Sequence, residues 1–165
     1  RNRFIRNLVC DLEGNTLVLF NYVEKHGMPL FELINNKVED SRQTFLIYGG
    51  VDTEDREKAR RIAETTKDSI IVASYGTFST GINIRNLHNV VFASPSKSRI
   101  RNLQSIGRVL RKGDNKTKAV LYDIADDISK GGRRNYTLNH LIERVKIYNE
   151  ESFDYEFIDV NLKTK

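Results

Sequence analysis

Five short apolar runs punctuate the chain, and stretches of helical spacing fill the gaps between them. TLVLF (16–20) follows the turn pair Gly14–Asn15, QTFLIY (43–48) ends at Gly49–Gly50, and SIIVAS (69–74) is apolar almost throughout. NVVFAS (89–94) stops before Pro95, and KAVLYDI (118–124) is the fifth. None alternates between apolar and polar positions, which is the mark of strands covered on both faces of a parallel sheet. Residues 24–37 carry a helical pattern. DTEDREKARRIAE (52–64) sets acids in its first turn and arginines later, the polarity a helix dipole favours, with Thr53 as the expected cap. Strand and helix in alternation predict an α/β fold with a mainly parallel sheet.

Past residue 128 the character changes. SKGGRR (129–134) reads as a basic, glycine-rich loop, suited either to gripping a duplex or to serving as a flexible connection. Leu138, Leu141, Ile142, Val145 and Tyr148 then recur at helical spacing, and FDYEFIDVNL (153–162) alternates as a closing strand would. The expectation is one domain over residues 1–165, with a core at about 14–128 and a helix–strand extension at 129–165 packed onto the sheet. Near the start, Phe4, Leu8 and Leu12 surround Cys10 in a predicted helix, which gives that cysteine a packing role. His140, on the tail helix, reads as structural.

Composition narrows the classes. A chain of 165 residues with 39% hydrophobic content can bury one real core. No apolar run nears the roughly 18–20 residues of a membrane span, so no membrane partner is expected. A single cysteine excludes an internal disulfide and suits a reducing compartment, hence the cytoplasm. His26, His88 and His140 lack metal-ligand spacing, and no metal site is expected. The chain opens at Arg1 without a methionine, as a piece of something longer or a processed product would.

Charge is more telling. Of a net +5, the window Lys97–Lys118 carries +7 and the remainder −2. A block of one sign fits a polyanionic partner, and equally a solvated basic face. Within it lies QSIGRVLRKG (104–113). At about 100° per residue, Gln104, Arg108 and Arg111 share an arc of about 60°, opposite Leu103, Ile106, Val109 and Leu110. One face packs, while the other presents an amide and two guanidinium forks whose geometry matches phosphate oxygens. An ordinary basic outer face would look the same. The chain holds no G-x-x-x-x-G-K-[ST] loop to cradle a nucleotide. Asp123, at the end of an apolar run, imitates a magnesium-binding aspartate only weakly without such a loop. Whatever Arg108 and Arg111 grip is expected to be held by another domain.

The third run leads into Ser74, Tyr75, Gly76, Thr77, Ser79, Thr80 and Gly81, read as a loop beyond the carboxyl end of a strand. Hydroxyls and main-chain N–H groups there suit phosphate, in a nucleic-acid backbone or a nucleotide. A plain connecting loop has the same composition.

Taken together these stretches resemble the C-terminal lobe of superfamily 2 helicases. TLVLFNYVEKHG (16–27) is similar to motif IV, IIVASYGTFSTGINI (70–84) to motif V, and QSIGRVLRKG to the Q-x-x-G-R-x-x-R of motif VI, the most specific of the three. The likeness covers roughly residues 14–125 and leans toward the recombination helicases of T-even phages. It implies a RecA-like three-layer α/β/α sandwich with a mainly parallel sheet. It also implies ATP with Mg2+ held mainly by a first lobe that these residues lack. By position, Arg108 and Arg111 would be the arginines reaching the terminal phosphates, and Gln104 would couple the nucleotide to the facing lobe. Gly81 and Asn83 would lie near the sugar. Ser74, Tyr75, Gly76, Gly49, Gly50 and Lys97 would meet the nucleic-acid backbone. Asn83 stands where many relatives have aspartate, and Val23 near where many have threonine. The implied partners are DNA, branched or single-stranded, with RNA–DNA hybrids as a further class, and the first lobe itself. The implied compartment is the cytoplasm, a host's if the protein is phage-encoded. The implied activity is ATP-dependent DNA translocation in recombination and repair, with this piece inactive alone. The competing reading is a stand-alone nucleic-acid-binding module without ATPase activity.

Overall fold

The computed structural model describes residues 1–38, 40–79, 84, 86–94, 119–129 and 135–162. Helix α1 (Asn2–Asp11) leads into β1 (Thr16–Phe20), a π-helical turn (Val23–Gly27) and α2 (Met28–Val38). Then come β2 (Gln43–Ile47), α3 (Thr53–Thr65), β3 (Ser69–Ser74), the short α4 (Tyr75–Ser79) and β4 (Asn89–Phe92). Strand β5 (Val120–Asp123) and helix α5 (Tyr136–Glu150) follow. The sheet runs β2-β3-β1-β4-β5, and every pairing is parallel.

The apolar runs fall where this order demands them. β1, β3 and β4 occupy the middle and are buried throughout, whereas β2 and β5 form the edges and are partly exposed. Side chains alternate between the two faces of a strand, so each run serves two cores. On one face Val18, Phe20, Val72 and Val91 meet Ile5 and Val9 of α1 and Leu30 and Ile34 of α2. On the other, Leu19, Ile71, Val90 and Phe92 meet Ala59 and Ala63 of α3 and Tyr148 of α5. The result is the α/β/α sandwich expected, with a core that also takes in α1, ahead of residue 14.

Polar groups close the end of the sheet at which the strands begin. Asn15 is fully buried. Its Nδ2 donates to the carbonyls of Ala63 (2.7 Å), Asn86 (2.8 Å) and Thr66 (2.9 Å), and its Oδ1 accepts from the Ser69 N–H and hydroxyl, both at 2.9 Å. Arg42 donates to the Leu12 carbonyl (2.9 Å) and the Gly14 carbonyl (3.0 Å) and pairs with Asp68 at 2.7 Å, covering the end of α1.

Four expectations are corrected. The α3 cap position is Asp52, with Thr53 already inside the helix. Residues after Ser74 are not a loop at first, because Tyr75–Ser79 is helical. On α5 Tyr148 and His140 are buried, but Arg144 is buried with them and Ile142 of the apolar set is exposed. No strand forms over residues 153–162. There the apolar set changes parity, from Phe153, Tyr155 and Phe157 to Ile158, Val160 and Leu162. A one-residue slip of this kind turns later side chains to the opposite face, so no single face can be buried against this sheet. No described helix is long and apolar enough to cross a membrane.

Candidate functional site

Because the strands are parallel, their carboxyl ends share one edge. Phe20 lies beside Ser74, Ala73 beside Ile47, Leu19 beside Phe92, and Phe92 beside Asp123. Ligands of open α/β sheets bind beyond that edge. The segments leaving it carry Gly49, Gly50, Ser74, Tyr75 and Gly76.

Gly49 and Gly50 sit exposed in the turn after β2, which is closed by the Val51 N–H donating to the Tyr48 carbonyl at 3.0 Å. Arg56 Nε donates to the Val51 carbonyl at 2.9 Å, tying the turn to α3. A Cβ at Gly49 would meet nothing within 4 Å, and the same holds at exposed Gly76. Both positions leave space beside the main chain where a side chain would otherwise stand. Gly50 differs, since a Cβ there would come within 2.8 Å of the Tyr48 ring.

Ser74 and Tyr75 turn inward instead. The Ser74 hydroxyl is 2.8 Å from that of Thr77 and accepts from the Thr77 N–H at 3.3 Å, so it caps α4. The Tyr75 ring is buried and tilts against Phe92 at 5.7 Å between centroids. Their side chains therefore shape the edge, and Gly76 between them and solvent is what it displays. Gln104, Arg108, Arg111, Gly81, Asn83 and Lys97 lie outside the described residues.

Three features escaped the sequence reading. Asn21, directly after β1, donates its N–H to the Ser94 hydroxyl (2.9 Å) and its amide to the Ser94 carbonyl (2.7 Å), locking the β1 and β4 exits together. Arg1 donates Nε to both oxygens of Asp126 (2.8 and 2.7 Å) and Nη1 to the Ala93 carbonyl (2.6 Å). Nearby His26 is held below its usual pKa by burial, with the Arg1 charge adding to the effect and Asp126 opposing it. Third, Asp123 takes Arg144 in a two-pronged pair (2.7 and 2.8 Å) and accepts from the Tyr148 hydroxyl at 2.7 Å. The polar residues following apolar runs were the only signal for Asn21 and Ser94. Arg1, Asp126 and Arg144 carried none, since long-range pairing leaves no local pattern.

The same geometry bears on magnesium. Asp123 is engaged by Arg144 and Tyr148, and among the described residues no group of three or more His, Cys, Asp or Glu side chains is placed to hold a metal ion. The described residues do not fit a magnesium site.

Comparison with known proteins agrees with the fold. The helicase conserved C-terminal domain matches residues 2–113. UvsW, named an ATP-dependent DNA helicase, of Enterobacteria phage T4, is 42% identical over 175 residues, covering 98% of this chain and 34% of UvsW. Its crystal structure superposes with a TM-score of 0.76 over 94% of this chain and 33% of that one. A protein of Acanthamoeba polyphaga mimivirus, provisionally named an ATP-dependent RNA helicase, is 29% identical over 169 residues, all of this chain and 30% of its own length. Domain 2 of the DEAD-box helicase Mss116p, solved on an RNA duplex, shares the fold at 15% identity and a TM-score of 0.54, covering 73% of this chain and 46% of its own. The chain thus spans about a third of the length of the curated relatives it matches. With five parallel strands among the described residues in the RecA-like arrangement, the chain belongs to the helicase conserved C-terminal domain family.

Proposed function

We propose that this chain is the second lobe of an ATP-dependent superfamily 2 DNA helicase or translocase that works on branched DNA in recombination and repair. The observation that carries the reading is the 42% identity with UvsW along 98% of the chain. Residues 1–165 act as one RecA-like domain with its extension, and ATP with Mg2+ sits mainly on a first lobe across a cleft.

In this reading Arg108 and Arg111 reach the terminal phosphates, where fixed guanidinium charge stabilises the negative charge developing in phosphoryl transfer. Gln104 couples the nucleotide to the facing lobe, and Gly81 and Asn83 lie by the sugar, an amide replacing the usual carboxylate. The exposed turn at Gly49–Gly50 and exposed Gly76 at the start of α4, with Lys97, meet the DNA backbone. Ser74 and Tyr75 contribute by holding Gly76 in place. Such contacts read phosphate rather than base, so substrate choice follows DNA shape. Single-stranded regions and RNA–DNA hybrids fit the same surface. A protein of this kind works in the cytoplasm, a host's if phage-encoded.

The test is ATP turnover by this chain and by the full-length protein, each with and without branched DNA. Turnover by the full-length protein alone, stimulated by DNA, is the expected outcome. Turnover by the isolated chain, or DNA binding without turnover in the full-length protein, overturns it, and the second result favours a stand-alone binding module.

A further inference from the structure

Four acceptor atoms beyond the ends of β4 and β5 converge on one side chain. Arg1 donates Nε to both carboxylate oxygens of Asp126 (2.8 and 2.7 Å), Nη1 to the Ala93 carbonyl (2.6 Å) and Nη2 to the Ile124 carbonyl (3.3 Å). Ala93 is the first residue past β4 and Ile124 the first past β5, and the two strands stay paired to the end, Phe92 beside Asp123. The last rungs are the Ala93 N–H to the Leu19 carbonyl (2.9 Å) and the Ile124 N–H to the Phe92 carbonyl, longer at 3.3 Å. One guanidinium thus spans both strand exits where the ladder stops.

Other ties meet it there. The Asp126 carbonyl accepts from the Asn135 amide (2.8 Å) and the Thr137 hydroxyl (2.6 Å), at the start of α5. Asn21 holds Ser94 next to Ala93. The exits of β1, β4 and β5 and the start of α5 are fastened to one another around Arg1. A planar fork of five N–H donors can serve acceptors in several directions at once, which a lysine ammonium at this position could not. With Arg1 28% and Asp126 36% exposed, the ion pair itself contributes little to stability. What it supplies is placement.

We infer that Arg1 is a positioning residue, whose clasp with Asp126 fixes the point at which the chain leaves β4 on its way to Gln104, Arg108 and Arg111. This rests on the two-lobe reading above. In that reading Arg108 and Arg111 meet phosphates held on another lobe, and a misplacement of about 1 Å far from the chemistry can cost about a hundredfold in rate. Loosening the β4 exit acts on the transition state, so the turnover number falls while KM holds.

The experiment compares Arg1→Gln, Arg1→Lys and Arg1→Gln/Asp126→Asn with wild type, all as full-length protein. Arg1→Gln should lower DNA-stimulated ATP turnover by about ten- to a hundredfold, with KM for ATP, DNA affinity and melting temperature nearly unchanged. Arg1→Lys should recover little, and adding Asp126→Asn should cost little more, because the pair acts as one unit. Hydrogen exchange supplies a readout apart from activity. The Ala93 and Ile124 amides should exchange faster in Arg1→Gln, and those of β1 and β3 should not. Unchanged exchange at Ala93 and Ile124 sinks the clasp. Faster exchange with normal turnover, turnover lost only in step with the melting temperature, or full recovery by lysine sinks the positioning role alone. A wild type without DNA-stimulated turnover sinks the two-lobe reading and the positioning role with it.

Discussion

Arg144 lies along Asp123 in a two-pronged pair, Nε to Oδ2 at 2.7 Å and Nη2 to Oδ1 at 2.8 Å, joining α5 to the last residue of β5. The guanidinium is 2% exposed, and its Nη1 has no partner among the described residues. Burying an ion pair gains little net, but removing one partner strands the other charge. Asp123→Ala should therefore cost about 3–5 kcal/mol. Asp123→Ala combined with Arg144→Met should lose much less than the first change alone. Urea unfolding of the two variants checks this, and equal losses would mean the pair does not anchor α5.

Gly27 ends the π-helical turn directly over Phe20, where a Cβ would come within 2.3 Å of the ring. Phe20 is fully buried in the core beneath α1 and α2. Gly27→Ala should destabilise by about 1–3 kcal/mol through overpacking. Gly49→Ala, with open space around it, should leave the melting temperature unchanged. If Gly49 lets a nucleic-acid backbone approach, the same variant should still weaken DNA binding by the full-length protein, read by fluorescence anisotropy.

Much of the fold was written in the apolar runs. The central strands β1, β3 and β4 are buried on both faces, so their sequences had to be continuous rather than alternating, and that is what TLVLF, SIIVAS and NVVF show. The tail misled because alternation was read without its phase. The shift of parity between Phe157 and Ile158 is visible in the sequence and already argues against a strand with one buried face. Helix α5 misled for another reason. A buried arginine sits on its core face only because Asp123 waits there, and a periodicity search cannot see a partner 21 residues away. Helix α4 was missed because Gly76 and Thr77 are weak helix formers, although Ser74 three residues before Thr77 is a cap signal. In the site, the Asn21–Ser94 lock left no pattern a sequence reading could use, and Gln104, Arg108 and Arg111 lie outside the described residues.

Titration should expose two of these environments. His26 has its pKa pushed below the ordinary 6.5 by burial and by Arg1, and its buried Nε2 has no partner among the described residues. The unfolded chain then takes up a proton before the folded one does. Stability is full above pH 6.5 and falls as the pH drops from there toward the folded-state value. Tyr148 is the mirror case. Burial, with Asp123 beside it, holds the phenol above its ordinary 10, so stability is full below pH 10 and declines as the pH rises further. His26→Gln should flatten the acid limb of a melting-temperature profile, and Tyr148→Phe the alkaline limb. A limb unchanged by its own substitution removes that residue as the cause.

Asn15 gathers five hydrogen-bonding groups from four other residues at the start of the sheet, the carbonyls of Ala63, Thr66 and Asn86 and the N–H and hydroxyl of Ser69. Asn15→Ala would leave them without this partner in a site closed to solvent, at about 1–3 kcal/mol for each group that finds no replacement. The loss should exceed that of Asn21→Ala, whose partner Ser94 lies at the opposite edge. Chemical denaturation orders the two, and the reverse order would mean water reaches the Asn15 site.

The last prediction concerns chemistry rather than stability. If Arg111 faces the terminal phosphate of ATP held by a first lobe, its charge acts on the transition state and not on DNA. Arg111→Ala in the full-length protein should then lower the turnover number by about a thousandfold, the scale of an arginine finger, while DNA affinity barely moves. Arg111→Lys should recover little, because a point charge does not reproduce the two-pronged grip of a guanidinium on phosphate. Steady-state ATP hydrolysis beside anisotropy with a branched DNA separates the two effects. A sharp loss of DNA binding with modest change in turnover would move Arg111 from the nucleotide cleft to the nucleic-acid surface, where the dense positive charge of residues 97–118 would give it equally good reason to be.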